Sequence, residues 1–171
     1  MPDPLLFNAA ELLRRPGSTK SIEIDTTVAQ LGISDDPRFD DDAAVDVRLD
    51  LEALTDGIVV DGRVLVPWHG TCRRCLVPAA GIIDSEVHEL YQHVVTDPEA
   101  FEIVGDQLDL RPMVREILVL DAPINPLCRE DCAGLCPHCG IDRNLGTCSC
   151  ETESTDPRWD ALRGLMERPP D

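Results

Sequence analysis

Eight cysteines fall in two groups, and they constrain the chain more than any other feature. Cys72 and Cys75 form the first group, in Cys72-Arg73-Arg74-Cys75; Cys128, Cys132, Cys136, Cys139, Cys148 and Cys150 form the second. Residues 128–150 are rich in Cys and Gly and carry too little apolar surface to fold without cross-links. The start, Met1-Pro2-Asp3-Pro4, has no cationic region ahead of an apolar one, and the longest apolar runs, such as Ile117 to Leu120, are far too short to span a bilayer. The expectation is a cytoplasmic protein with no membrane partner. In that reducing compartment cysteines serve metal before disulfides.

Zinc takes four ligands in a tetrahedron and binds thiolates well. Cys136-Pro137-His138-Cys139-Gly140 reads as a knuckle, its glycine allowing the turn that brings backbone amides toward sulfur. Cys148 and Cys150 would close a four-cysteine site on a short loop. Cys128 and Cys132, four apart and so on one face of a helical turn, would then join Cys72 and Cys75 in a second site tying the strand region to the C-terminal segment. The expected cofactor is structural zinc, one or two ions, and the spacing leaves open which pairs share a metal. Disulfides could use the same residues. A redox pair at Cys72 and Cys75 is a further alternative, because Arg73 and Arg74 would lower a thiol pKa, although the motif does not sit at a strand-to-helix junction. His69, His88, His93 and His138 read as structural or surface histidines.

Lys+Arg number 15 against 33 Asp+Glu, a formal net charge of -18, and a field of that sign repels nucleic-acid phosphate and anionic membrane. Asp35 to Asp42 holds five aspartates around Pro37 and Phe39, which fits a solvated acidic loop or a strip that docks a basic partner. Aromatic residues are 4% of the chain, so the core must come from Val, Leu, Ile and Ala.

Asn8 and Glu11 form a capping-box pattern ahead of Leu12 and Leu13, a short helix stopped by Pro16-Gly17. Alternation over Ser21 to Asp25 and over Val45 to Glu52 predicts strands. Ile58-Val59-Val60 and Val64-Leu65-Val66 flank Asp61-Gly62, the strongest short hairpin signal in the chain, and Ile82 to Leu90 predicts another strand. Asp109 caps a helix containing Leu110, Met113, Val114, Ile117 and Leu118, with Pro112 in its first turn and Pro123 and Pro126 after its end. Asp156-Pro157 opens a terminal helix with Trp159, Leu162 and Leu165 as its stripe. The fold class is therefore α+β: a small antiparallel sheet or open barrel, two or three flanking helices and a Cys-rich zinc-binding C-terminal segment. The expected divisions are 1–125, 126–150 and 151–171.

Phosphate-binding loops, dinucleotide fingerprints, nucleophile elbows and His-Glu-x-x-His motifs are absent from the sequence. A catalytic zinc keeps an open position, and eight cysteines taken in fours leave none. The sequence reads as a structural metal protein rather than an enzyme; the alternative is a thiol-disulfide or metal-dependent enzyme working through Cys72 and Cys75.

The chain also resembles a known family. Cys72-Arg73-Arg74-Cys75-Leu76, Leu108 to Pro112 with Arg115-Glu116, Pro126-Leu127-Cys128, Gly134 to Gly140, and Asp156-Pro157-Arg158 with Leu162 occur in the order seen in YceD proteins, the large ribosomal RNA subunit accumulation proteins. The resemblance spans most of the chain from about residue 20 and does not include the Asp35 to Asp42 segment. It implies a non-enzymatic bacterial or plastid factor supporting 23S rRNA accumulation or processing. With the charge of this chain, the expected partner is a basic large-subunit ribosomal protein or the pre-ribosome. Any RNA contact would be confined to a local patch of Arg73, Arg74, Arg111 and Arg115.

Overall fold

A computed structural model describes residues 3–150; the terminal helix expected at Asp156 lies outside them. The architecture is a curled seven-stranded sheet in the order β1-β7-β6-β5-β4-β3-β2. Its strands are β1 Leu6–Asn8, β2 Thr19–Thr27, β3 Ala44–Ala53, β4 Gly57–Thr71, β5 Pro78–Gln92, β6 Phe101–Val104 and β7 Gln107–Asp109. Three helices accompany it: the single turns α1 Ala10–Leu13 and α2 Val28–Leu31, and the longer α3 Arg111–Asp121. The curled sheet matches the expected class in part: all its pairings are antiparallel except that of β5 with β6, which is parallel. The flanking helices are slighter than expected, since only α3 exceeds one turn among the described residues.

Strict alternation builds the sheet. Val45, Val47, Leu49 and Leu51 on β3 and Ile58, Val60, Val64 and Val66 on β4 are all buried, while the residues between them, apart from inner-face Gly62, point to the opposite side. The core closes around Tyr91, which is fully buried, stacks on Phe101 at 5.1 Å and donates its hydroxyl proton to the Asp109 carbonyl at 3.1 Å. Met113, Val114 and Leu118 bury the inner stripe of α3 against this core. The N-cap of α3 is Leu110, one residue past the expected Asp109, whose carboxylate accepts from the Arg111 N–H at 3.0 Å just ahead of the helix.

The Asp61-Gly62 turn does not exist. β4 runs unbroken through it, pairing Gly62 with Leu49 on one side and Val87 on the other. The glycine answers a close approach: a Cβ there would lie 2.0 Å from the Arg48 carbonyl oxygen. The connection between β4 and β5 is instead Cys72 to Val77, with Thr71 opposite Pro78. Strands β1, β6 and β7 and the turn α2 are additional to the expected elements. The parallel pairing of β5 with β6 depends on buried Gln92, whose Oε1 accepts from the N–H groups of Thr96 and Asp97 and holds the intervening loop.

The acidic stretch is folded rather than simply solvated. Phe39 is buried, the Asp36 carboxylate takes a forked contact from Arg38 at 2.6 to 3.1 Å, and Arg38 donates onward to the Ala122 carbonyl at 2.8 Å. This ties the loop before β3 to the end of α3, which aims the following chain toward the β4–β5 tip. Pro126 arrives there with its carbonyl accepting from the Arg73 N–H at 2.9 Å.

Gly62→Ala should cost about 1–3 kcal/mol of stability by overpacking at the Arg48 carbonyl. Urea unfolding checks this; a turn at this position would leave no such clash.

Candidate metal centres

The hairpin tip and the segment after Pro126 bring the eight cysteines into two sets of four. Cys72, Cys75, Cys128 and Cys132 form one, and Cys136, Cys139, Cys148 and Cys150 the other, with the sulfurs of each set all within 4.8 Å of one another. The sequence offered this arrangement and left the pairing open; the hairpin tip brings Cys128 and Cys132 to Cys72 and Cys75. Cys128 to Cys132 is a turn, with the Cys132 N–H donating to the Arg129 carbonyl at 3.2 Å, and not a turn of helix.

In the first set Cys72 Sγ lies 3.8 Å from Cys132 Sγ, and Cys75 Sγ lies 3.5 Å from Cys128 Sγ. A disulfide needs about 2.05 Å. A tetrahedral ion bonded to sulfur at about 2.3 Å sets the sulfurs about 3.8 Å apart. The spacing fits a metal-binding set of soft donors and does not fit disulfides. Cys72, Cys75 and Cys132 are buried, and Cys128 is exposed.

Each set is opened by the same backbone loop. At the first, the Cys72 N–H donates to the Val77 carbonyl at 2.8 Å and the Leu76 N–H to the Cys72 carbonyl at 2.9 Å. At the second, the Cys136 N–H donates to the Ile141 carbonyl and the Gly140 N–H to the Cys136 carbonyl, both at 2.9 Å. Both loops need a left-handed residue after the second cysteine. Gly140 supplies it at φ 73°, as the sequence indicated, and Leu76 supplies it at φ 63°, the one non-glycine residue with positive φ among those described.

The loops also polarise the sulfurs. Burial opposes ionisation of Cys72, but the N–H groups of Cys128, Cys75 and Arg74 aimed at its sulfur outweigh that and bring its pKa down to about 6. The Cys139 and His138 N–H groups bring Cys136 down to about 6 against its burial. The neighbours move the other way. Hydrogen bonding to the Cys75 sulfur, then burial, pushes Cys128 up to about 12; the Cys139 sulfur and burial push Cys150 up to about 12. Cys75 and Cys148 are also raised: the N–H groups of Val77 and Cys150 favour their thiolates, but burial and the neighbouring sulfurs prevail. Four sulfurs this close cannot all ionise unless a cation sits among them.

The candidate arginines lie on two separate elements. Arg73 is exposed on the first loop, whereas the Arg74 guanidinium donates to the Cys132 carbonyl at 2.9 Å and the Glu130 carbonyl at 3.2 Å. On α3, Arg115 is exposed, while Arg111 pairs with Asp3 and donates to the Gln30 carbonyl at 3.1 Å. Sequence reasoning missed Asn144. Its Oδ1 accepts from Arg129 and from the Ala133 N–H, both at 2.8 Å, and its Nδ2 donates to Cys132 Sγ at 3.5 Å. A lone asparagine in a loop carries no periodic signal that could have revealed this.

Two predictions follow from the loops. Leu76→Gly relieves about 1–2 kcal/mol of left-handed strain, offset by about 0.4–1 kcal/mol from a freer unfolded chain. Its denaturation midpoint should stay level or rise, while Gly140→Leu lowers it. Second, metal uptake by the reduced, metal-free protein at neutral pH should release at least two protons per ion, from Cys75 and Cys128 and from Cys148 and Cys150. Metal affinity should fall more steeply with pH below about 6, where Cys72 and Cys136 of the metal-free protein also take up protons that the ion must displace. A pH-stat titration and metal retention across pH read both effects.

Among the described residues no helix is long and apolar enough to cross a membrane. An uncharacterized protein of Mycobacterium tuberculosis is 32% identical over 173 residues, covering 95% of this chain and 82% of its own length. One from Mycobacterium leprae is 27% identical over 171 residues, covering 95% of this chain and 78% of its own. The chloroplastic "Large ribosomal RNA subunit accumulation protein YCED homolog 1" of Arabidopsis thaliana is 29% identical over 62 residues, 36% of this chain and 19% of its own. No solved structure matches the chain. The profile described as "Large ribosomal RNA subunit accumulation protein YceD" matches residues 60–166, from mid-β4 through both cysteine sets, and the chain belongs to the YceD family.

Proposed function

We propose that this protein is a non-catalytic, zinc-stapled factor that supports accumulation of large-subunit ribosomal RNA by binding a basic ribosomal protein or the pre-ribosome that carries one. Family membership supports the rRNA role. Zinc is the ion that best suits eight thiolates in two closed tetrahedra, because it is borderline-soft, indifferent to d-electron geometry and abundant as a structural ion. Four sulfurs per ion leave no position for a water or substrate, so the metal staples the loops and does no chemistry. The redox reading is disfavoured by the burial of Cys72, whose sulfur a substrate disulfide could not reach.

The observation that carries the partner is the outward face of the sheet. The register of β2 to β5 places Glu23 and Asp25, then Asp46, Asp50 and Glu52, then Asp61, then Asp84 and Glu86 on one side. Arg48 and Arg63 share that face, and each is already paired, with Asp46 at 2.8 Å and Asp84 at 3.3 Å. The chain's negative charge is thus displayed on a stiff platform. Such a field accelerates encounter with a cationic protein and repels free RNA. Contact with RNA, where it occurs, falls to exposed Arg73 and Arg115.

Elemental analysis of reduced, gently purified protein should return two zinc ions per chain. Glu23→Lys, Glu52→Lys and Glu86→Lys together should weaken co-sedimentation with large-subunit precursors at least about tenfold at low salt, with the difference shrinking as salt rises. Arg73→Glu alone should leave zinc in place and weaken only the RNA cross-links. Unchanged association of the triple variant would defeat the basic-partner reading.

A further inference from the structure

The two cysteine sets differ in what it takes to assemble them. The second lies entirely within residues 136–150. The first must bring Cys72 to Cys132 and Cys75 to Cys128, separations of 60 and 53 residues. Closing a short loop costs less chain entropy than closing a long one, so the second set forms first in a chain that is still unfolded.

The second set is also fastened to the first at a few named points. The Leu135 N–H donates to the Arg74 carbonyl at 2.9 Å, and the Arg143 N–H donates to the Gly134 carbonyl at 2.9 Å. Gly134 sits at φ 71°, where a Cβ would come within 2.9 Å of that same Arg74 oxygen. Asn144 is the only side chain of the second loop with a hydrogen bond to a sulfur of the first set among the described residues. Its position depends on the second loop, through the Asp142 carboxylate, which accepts from the Asn144 backbone N–H at 2.8 Å and its Nδ2 at 2.7 Å. Asp142 in turn is bridged to Leu135 across the Cys136–Cys139 turn.

From this arrangement we infer that the two sets are one coupled metal centre, in which Asn144 is a positioning residue. Loading of the Cys136, Cys139, Cys148 and Cys150 set orders the 142–144 turn. That turn places the Asn144 amide against Cys132 and the Ala133 N–H, and so presents Cys132 to Cys72, Cys75 and Cys128. The amide N–H also stabilises the Cys132 thiolate once metal is bound, the usual service of a group behind a ligand. Coupling of this kind is reciprocal, so metal at the first set tightens the second by the same factor. The inference rests on the metal-binding reading of the cysteines.

The test is zinc release from the full-length reduced protein to a colorimetric chelator. The kinetic phase missing from Cys132→Ser identifies the first set. Asn144→Ala should accelerate that phase about tenfold or more. Asn144→Asp, which keeps an oxygen for Arg129 and Ala133 but has no N–H for sulfur, should accelerate it as much. Urea unfolding of the sheet should be unchanged in both variants. In a Cys148→Ser, Cys150→Ser background, the first-set ion should already leave fast, and Asn144→Ala should add nothing. An unaltered first phase in Asn144→Ala, or an equal acceleration in both backgrounds, overturns the coupling while leaving two zinc ions per chain intact. Wild-type protein that carries no zinc overturns the metal reading instead.

Discussion

Four sulfurs from two distant stretches of chain meet at the tip of the β4–β5 hairpin, and the described chain beyond Pro126 depends on that meeting. The contributing strands are long, with fifteen residues each, and their inner positions include Ile58, Val60, Val64 and Val66 on β4 and Ile83, Val87 and Tyr91 on β5. That stiffness lets a six-residue loop project Cys72 and Cys75 at a defined angle. The tail has no comparable core. Its apolar residues are few, and Ile141 and Leu145 among them are exposed, so burial supplies little to order it. Under the proposed zinc reading, sulfur, a neutralising ion and the backbone amides aimed at the sulfurs order it instead.

The same economy appears in the two loops. Each uses an identical pair of backbone hydrogen bonds and a left-handed residue to turn amides toward the first cysteine. The outcome is also shared: Cys72 and Cys136 are each drawn down to about 6, while Cys75 and Cys128 in one set and Cys148 and Cys150 in the other are pushed up. A set so biased is suited to take a divalent cation in exchange for protons, which would make its affinity for metal depend on pH. Placing Leu76 rather than glycine in the first loop introduces strain that Gly140 avoids in the second, and the exposure of that leucine shows that packing does not repay it.

Away from the metal centres the sheet divides its duties by face. The inner face carries the aliphatic core and receives α3. The outer face carries most of the sheet's carboxylates, with its two arginines already paired. A protein in a family named for ribosomal RNA accumulation thereby presents a surface suited to cationic protein rather than to phosphate. Arg74, attractive as an RNA contact from its neighbours in sequence, is committed to the carbonyls of the 130–132 turn.

Much of this was legible in the order of residues. Alternation over β3 and the apolar stripe of the helix after Asp109 follow from local periodicity; ligand number and spacing suggested two sets of four cysteines and left the pairing to the tertiary structure. The Asp61-Gly62 turn was misread because a dipeptide's turn preference is local, whereas the need for a missing Cβ at Gly62 comes from the Arg48 carbonyl on the adjacent strand. The contrary signal was that Ile58, Val60, Val64 and Val66 keep one phase of a two-residue period across Gly62, as a single strand requires. Strands β1, β6 and β7 are only three or four residues long, too short for periodicity to register. The sequence by itself determined which residues can hold a metal and which face of each long strand is buried, since both depend on residue type and near spacing. Only the tertiary structure decided that Arg74 is tied down, that Asn144 reaches Cys132, and that the acids share one face, because those relations join residues whose neighbours in sequence say nothing about one another.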